Sequence, residues 1–440
     1  MTKDNMIKIL TLLFLPVFVF GQTNDSIRLE KYLKAFLNAN EFSGAVFIAK
    51  DNGPIFKKAY GFADLDNKIL NTTDTKFRIA SCSKQFTAIA ILQLQEKGKL
   101  SVSDKLSKYF PNIAKSDSIT IDMLLTHRAG IHNYNADSSY GNINTPALTQ
   151  KKVMEIIEKN PSDFSPGSKY QYSNGGFFIL GAIIEKVSHQ TYDEYIINNI
   201  FKKAKMFSSG IDHDNVTIPD KAKGYINKND TLKPAAYDNM EGTMGCGSLY
   251  STVNDLYKYY LALNDTILLT KESRQQLITP KKGTYAYGIG VDTLDKHASV
   301  GHGGWVFGFT SQITMYLNDK SFFIVISNSE ANVWGLSKGL EAVMFNVPVI
   351  FPYKYKAIKV ETKSLEKYVG TYGKVKIIIK DNYLYLIDEA NDDDIKLLPE
   401  SKTKFFYEGE NDRQIEFQLN KNNKVINAWL IDSGLKHQLK

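Results

Sequence analysis

Two cysteines in 440 residues are too few to staple a scaffold, so the fold must rest on a hydrophobic core. Cys82 and Cys246 sit among small or apolar neighbours and are expected to be free, buried thiols. Proline is sparse, at 12 residues, and with 43% hydrophobic and 12% aromatic residues the composition excludes a disordered chain. Dense runs of Lys or Arg are missing: the formal charge of +7 comes from lysines scattered among 47 acidic residues, which argues against nucleic acid as a partner. Neither His-Glu-x-x-His nor any other metal-ligand spacing occurs among the 7 histidines, so no metal and no other cofactor is expected. The absence of a Gly-x-Ser-x-Gly elbow removes the α/β-hydrolases. Internal repeats and low-complexity segments are lacking too.

Long hydrophobic runs are also missing. The apolar stretch at 9–20 follows Lys3 and Lys8 and is broken by Pro16; at about a dozen residues it falls short of the roughly 20 needed to span a bilayer. It reads as a secretory signal peptide, residues 1–21, cleaved after Gly21. An exported protein, periplasmic or secreted, is expected, with no stable membrane anchor after cleavage. No cysteine near the cleavage point offers a lipid attachment site.

What is present organises the chain into two folded parts. Ile27, Leu29, Tyr32, Leu33, Phe36 and Leu37 recur at helical spacing. "GAVFIAKDNGPIFKKAYGFAD" then predicts a hairpin turning at Asp51, Asn52 and Gly53. Helices are predicted at 85–97, closed by Gly98, and at 121–125, 151–159 and 177–187. Strands return late in "ASVGHGG", "TSQITMYL" and "SFFIVISNS", so one sheet built from both ends of the domain is expected, with an all-α region between. From Leu365 onward, short alternating segments separated by Asn, Asp and Gly turns predict a small all-β module. The expected fold is α+β: a main domain over 22–352 and a β-barrel-like domain over 360–440.

Chemistry centres on "FRIASCSKQFTAIAIL", residues 77–92. With Ser81 at the first turn of a helix, Lys84 at i+3 projects from the same face within its reach. The apolar residues that follow run nearly all round the helix, so it is a buried one, and burial disfavours an ammonium. Lys84 can then serve as the base that a serine nucleophile needs. A serine there can equally be a helix cap, and Ser-x-x-Lys recurs at Ser364, Ser401 and Ser433, all in the terminal β module. "SPGSKYQYSNGGFFILG" adds Tyr172 and Asn174 before another apolar helix. A phenol shifted toward ionisation by a nearby lysine can relay protons, and an asparagine can hold a substrate amide. The alternative is a turn with Asn174 as helix cap; Tyr-x-Asn also begins at Tyr140, Tyr225 and Tyr316. "VGHGGWVFGF" places His302, Gly303 and Gly304 at the end of a predicted strand, where glycines admit a close backbone and a strand-edge N–H can bind an oxyanion.

In the order Ser-x-x-Lys, Tyr-x-Asn, His-x-Gly, the chain resembles the serine β-lactamase and penicillin-binding-protein superfamily. It is most similar to the branch of class C β-lactamases, D-alanyl-D-alanine carboxypeptidases, D-aminopeptidases and related esterases. The resemblance runs from about Phe42 to Asn328 and takes in "LLTHRAGI" and "GCGSLYSTVNDLYKY". It implies Ser81 as the acylated nucleophile and Lys84 as its general base. Tyr172 would pass the proton to the leaving group and activate the deacylating water, Asn174 would contact the acyl amide, and the N–H groups of Ser81 and Trp305 would form the oxyanion hole. His302, Gly303 and Gly304 stand where β-lactamases carry Lys-Thr-Gly, so a fixed positive charge for a substrate carboxylate is missing. Arg128 is a candidate replacement. The function implied is an exported serine hydrolase that cleaves a peptide or ester, with D-amino-acid peptides of the cell wall as candidate substrates and β-lactams as covalent ligands. Its alternatives are a penicillin-binding sensor with little turnover and a weak β-lactamase; intact Ser81, Lys84 and Tyr172 count against the sensor.

Overall fold

The structure, a computed structural model, describes residues 24–439 apart from 137–147, 215, 229–230, 237–239 and 389–392. The signal-peptide segment lies outside the described residues. Among those described, no helix is long and apolar enough to cross a membrane.

The strand Gly44–Lys50 is buried at six consecutive positions because its sheet is covered on both faces. Ala45, Phe47 and Ala49 enter one core, while Val46 and Ile48 enter another. Its hairpin partner is Gly53–Tyr60, and the connecting Asp51 and Asn52 both have positive φ (52° and 58°), the conformation that suits a tight hairpin. Four late strands complete an antiparallel sheet in the order Gly290–Leu294, His297–Val306, Phe309–Tyr316, Ser321–Ser327, Gly44–Lys50, Gly53–Tyr60. The two ends of the domain therefore meet in one sheet, as the sequence predicts.

Helices α1 (Asn24–Ala39) and α9 (Val333–Phe345) cover one face through Leu29, Leu33, Phe36, Leu336 and Leu340. The other face packs on a larger core that also holds α2 (Ser83–Glu96), α5 (Asn174–Ser188) and α7 (Val253–Asn264). The remaining α-helices among the described residues are α3 (Ile121–Leu125), α4 (Gln150–Lys159), α6 (Tyr192–Ile196) and α8 (Lys271–Ile278). Every residue from 83 to 94 of α2 is buried, which is why its sequence shows no polar stripe. Gly98, at φ 65°, follows its end.

Eight antiparallel strands from Gly370–Tyr372 to Leu435–Leu439 pair strictly in chain order and curl into a nearly closed barrel around Ile377, Leu384, Leu397, Phe405, Ile415 and Phe417. The barrel rests on the main domain at few points. Ile350 N–H donates to the Gly434 carbonyl (2.8 Å) and Asn411 Nδ2 to the Ala39 carbonyl (3.0 Å). Asn332 Nδ2 donates to Asp412 Oδ2, and Leu435 joins Leu294 and Ala342 in a small apolar cluster.

Candidate active site

Ser81 does not lie within α2 as the sequence suggests. It sits in a 3₁₀ turn, Ala80–Cys82, that leads into the helix, and no side chain caps that entry. The residue before it, Ala80, has φ 46°, a left-handed conformation costing about 1 kcal/mol or more in a residue with a Cβ. The strand with His302 and its neighbour with Ser311 hold this strained turn in place. Cys82 Sγ–H donates to the His302 carbonyl (2.9 Å) and Ser311 Oγ–H to the Ile79 carbonyl (2.9 Å). A Cβ on Gly304 would stand 2.4 Å from that Ile79 carbonyl and 3.1 Å from Ala80 Cβ, so only glycine permits the contact. Burial pushes the Cys82 thiol up to about 12, which leaves it inert beside Ser81. Neither cysteine forms a disulfide among the described residues, and both are buried.

Lys84, one helical turn on, is completely buried. Its Nζ lies 3.0 Å from Ser81 Oγ, 2.7 Å from Asn174 Oδ1 and 2.8 Å from the Cys246 carbonyl oxygen. Burial, outweighing the other influences, brings its ammonium down to about 8. A neutral amine has two N–H donors and one lone pair. Asn174 Oδ1 and the Cys246 carbonyl can only accept, so they take both N–H bonds, and the lone pair is left for the Ser81 hydroxyl. Ser83, the second serine of the motif, has a structural part: its Oγ accepts Leu249 N–H (3.2 Å).

Tyr172 O–H donates to Ser81 Oγ from the other side (2.8 Å), and Lys84 Nζ lies 4.8 Å above its ring. The phenol is not shifted toward ionisation as expected. Burial outweighs every other influence and holds it well above its ordinary value, so Tyr172 is a proton donor in the resting site. Asn174 is not the cap of α5; Ser173 is, accepting Gly176 N–H, which frees the Asn174 side chain for Lys84. Asn133 Oδ1 fixes Asn174 by accepting its N–H (3.0 Å).

His302 is inside the His297–Val306 strand rather than at its end. Pairing with Gly290–Leu294 stops at Gly301, however, so residues 302–306 have a ladder partner on one edge only. Trp305 lies on this stretch, directly after the Gly304 contact with the nucleophile turn, and its side chain is half exposed. The His302 imidazole is buried and pushed down to about 3, by burial first and the Lys84 charge second, so it supplies no cation.

Two further residues complete the buried wall. His127, from "LLTHRAGI", lies with its ring 4.3 Å from that of Tyr172, and burial holds it well below its ordinary value. Ser173 N–H donates to its Nδ1 (3.1 Å), and its Nε2 is 3.1 Å from the Tyr285 hydroxyl. That hydroxyl is 2.8 Å from His302 Nε2, while His302 Nδ1 faces the Gly303 carbonyl. Tyr285 has no sequence signal; His127 had one, in its recurring segment, without a role attached. A cleft of about 1190 Å³ opens outward from Tyr172, Tyr285 and His302. Arg128 is part of its wall, with Nη2 donating to the Gly167 carbonyl (2.6 Å) and Nε buried without a hydrogen-bond partner among the described residues. No group of metal-ligating side chains occurs among the described residues.

The chain is similar to several known proteins. A penicillin-binding protein of Bacillus subtilis is 27% identical over 420 residues, 87% of this chain and 92% of that one. The teichoic acid D-alanine hydrolase of Staphylococcus aureus is 27% identical over 319 residues, 69% of this chain and 74% of its own. Among solved structures, the octameric penicillin-binding protein homologue from Pyrococcus abyssi superposes with a TM-score of 0.69 at 25% identity, covering 94% of this chain and 100% of that one. The profile of the Beta-lactamase family matches residues 29–341, from within α1 to within α9, the part of the chain that builds the Ser81 site, and the chain belongs to that family.

Proposed function

We propose that the protein is an exported serine hydrolase that forms an acyl-enzyme on Ser81 from a small amide or ester and releases it to water. The observation that carries this reading is the set of contacts at Lys84: two obligate acceptors hold its N–H groups, its ammonium is lowered to about 8, and its third direction meets Ser81 Oγ.

Acylation then runs as a closed proton circuit. Ser81 gives its proton to Lys84 as Oγ attacks the carbonyl carbon, and the oxyanion is held by the N–H groups of Ser81 and Trp305. Tyr172 gives its proton to the departing nitrogen or oxygen as the bond to the acyl carbon breaks, and Lys84 restores that proton to the phenolate. In deacylation a water loses its proton to the same pair and attacks the ester, and Ser81 leaves as an alcohol. Asn174, already tied to Lys84, turns its remaining N–H donors toward the acyl group.

The relative named teichoic acid D-alanine hydrolase supports a D-alanyl group as the acyl part. A neutral His302 supports a peptidase or esterase over an efficient β-lactamase, since it offers no charge to a lactam carboxylate. The signal-like segment at 1–21 supports export. A fluorophosphonate probe is expected to label the protein at Ser81, and Ser81→Ala to abolish the labelling; labelling retained in that variant overturns the proposal. p-Nitrophenyl esters, D-alanyl peptides and nitrocefin assayed side by side rank the substrates, with nitrocefin expected to be the slowest.

A further inference from the structure

The cleft beside the reacting groups is not enclosed by the main domain alone. Its inner end is formed by Tyr172, Tyr285 and His302, and its far wall comes from the barrel, through Arg413, Asp432 and His437. Neither Ser81 nor Asn174 lines it. Tyr172 is the group whose O–H points at Ser81 Oγ, and a proton donor in that position serves the atom that departs. Whatever leaves the acyl carbon therefore leaves toward Tyr172, at the inner end of this cleft.

Size and chemistry narrow the occupant. Single small ligands fill pockets of about 300–1,000 Å³, and this cleft, at about 1190 Å³, exceeds that range. Its lining mixes donors, acceptors and two large exposed aromatic rings, Tyr170 and Trp334, which are 50% and 43% exposed. The Arg413 guanidinium lies 3.7 Å from both Glu410 and Asp432, too far for hydrogen bonds, and its side chain is partly exposed. Such a wall sets a partly exposed guanidinium beside carboxylate acceptors, the complement of a peptide backbone with its own N–H and C=O groups.

We infer that the barrel forms the leaving-group subsite of the enzyme and selects substrates whose leaving group is a peptide of two or more residues. This rests on the serine-hydrolase reading, with Tyr172 as the acid. It gives the C-terminal domain a part in specificity, through positioning residues that touch the substrate away from the reacting bond.

The test uses the full chain and D-alanyl substrates that share one acyl group: a p-nitroanilide with a small leaving group, and amides of a tripeptide. Arg413→Ala removes the donors. His437→Trp, on an exposed strand position, fills the cleft and leaves the guanidinium in place. Each is expected to lower the ratio of kcat/KM for the tripeptide over the anilide by about tenfold, with thermal midpoints unchanged. A ratio unmoved in both variants overturns the inference, as does a greater loss on a D-alanyl polyol ester than on the tripeptide. Fluorophosphonate labelling of Ser81 in the unaltered protein is read in parallel: its absence overturns the serine-hydrolase reading itself, whereas labelling with an unmoved ratio overturns only the subsite.

Discussion

A lysine whose ammonium is held near 8 is about one-tenth neutral at pH 7 and about nine-tenths neutral at pH 9, and only the neutral form can take the Ser81 proton. The rate of Ser81 acylation is therefore expected to climb with pH, with a midpoint near 8; a flat profile between pH 6 and 10 contradicts the role of Lys84. The same displacement has a stability counterpart. The folded chain holds this proton at about 8 and the unfolded chain at 10.5, so between those values the unfolded state binds more protons and stability rises with pH. That contribution is about 3 kcal/mol, fully present above pH 10.5 and lost as pH falls through 8. Lys84→Met removes it. Urea unfolding at pH 7 and pH 10.5 should show wild type gaining on the variant by that order, and a pH-independent difference refutes it. Tyr285 acts at one remove, as a positioning residue. Tyr285→Phe leaves two imidazole nitrogens without their partner, at a cost of about 2 kcal/mol, and should lower kcat about tenfold while the pH midpoint stays near 8.

The strand with His302 and the turn with Ser81 act as one device, joined where Gly304 meets Ile79 and Ala80. Gly304→Ala drives a Cβ into a backbone carbonyl that cannot yield, so acylation should fall at least a hundredfold while far-UV circular dichroism is unchanged. Gly303→Ala meets only side-chain ends, the indole edge of Trp334 and the Gln312 amide, and should cost far less; equal losses in the two refute the distinction. Much of this was legible beforehand. The hairpin at Asp51 and Asn52, the fully buried α2 and the late strands all follow from local pattern, because burial on every side leaves an unbroken apolar run. Ser81, Lys84, Tyr172 and Asn174 were legible through motif order. The Cys246 carbonyl and the Tyr285 hydroxyl were not: a backbone acceptor has no side-chain signature, and one tyrosine among 25 is marked only by where the fold carries it. The direction of the Tyr172 shift was misread for a related reason, since sequence shows a neighbouring lysine but not the depth of burial.

At the scale of the whole molecule, two units with separate cores share a narrow contact. The barrel core around Phe405 and Phe417 has no member in common with the cores of the main domain, and Leu435, Leu294 and Ala342 form a small bridge. So small an apolar contact couples unfolding weakly. Calorimetry should resolve two transitions, and a single cooperative one contradicts this. Asn332 stands at the bridge, capping α9 through Gly335 N–H (2.9 Å) while donating to Asp412. Asn332→Ala loses the cap and the contact together and should destabilise by about 1 kcal/mol.

The buried line from Ser173 through His127, Tyr285 and His302 to Gly303 ends in a backbone N–H at one end and a backbone C=O at the other. Neither end can reverse, and burial keeps both imidazoles uncharged. Only one assignment of hydrogens satisfies every member: Nε2–H on His127, the phenol hydrogen turned to His302, and Nδ1–H on His302. The wall behind Tyr172 is thus locked in a single tautomeric state, with its dipoles aligned in one sense before any substrate arrives. Nitrogen NMR of the two imidazoles reads that state directly, one ring in each of the two neutral forms.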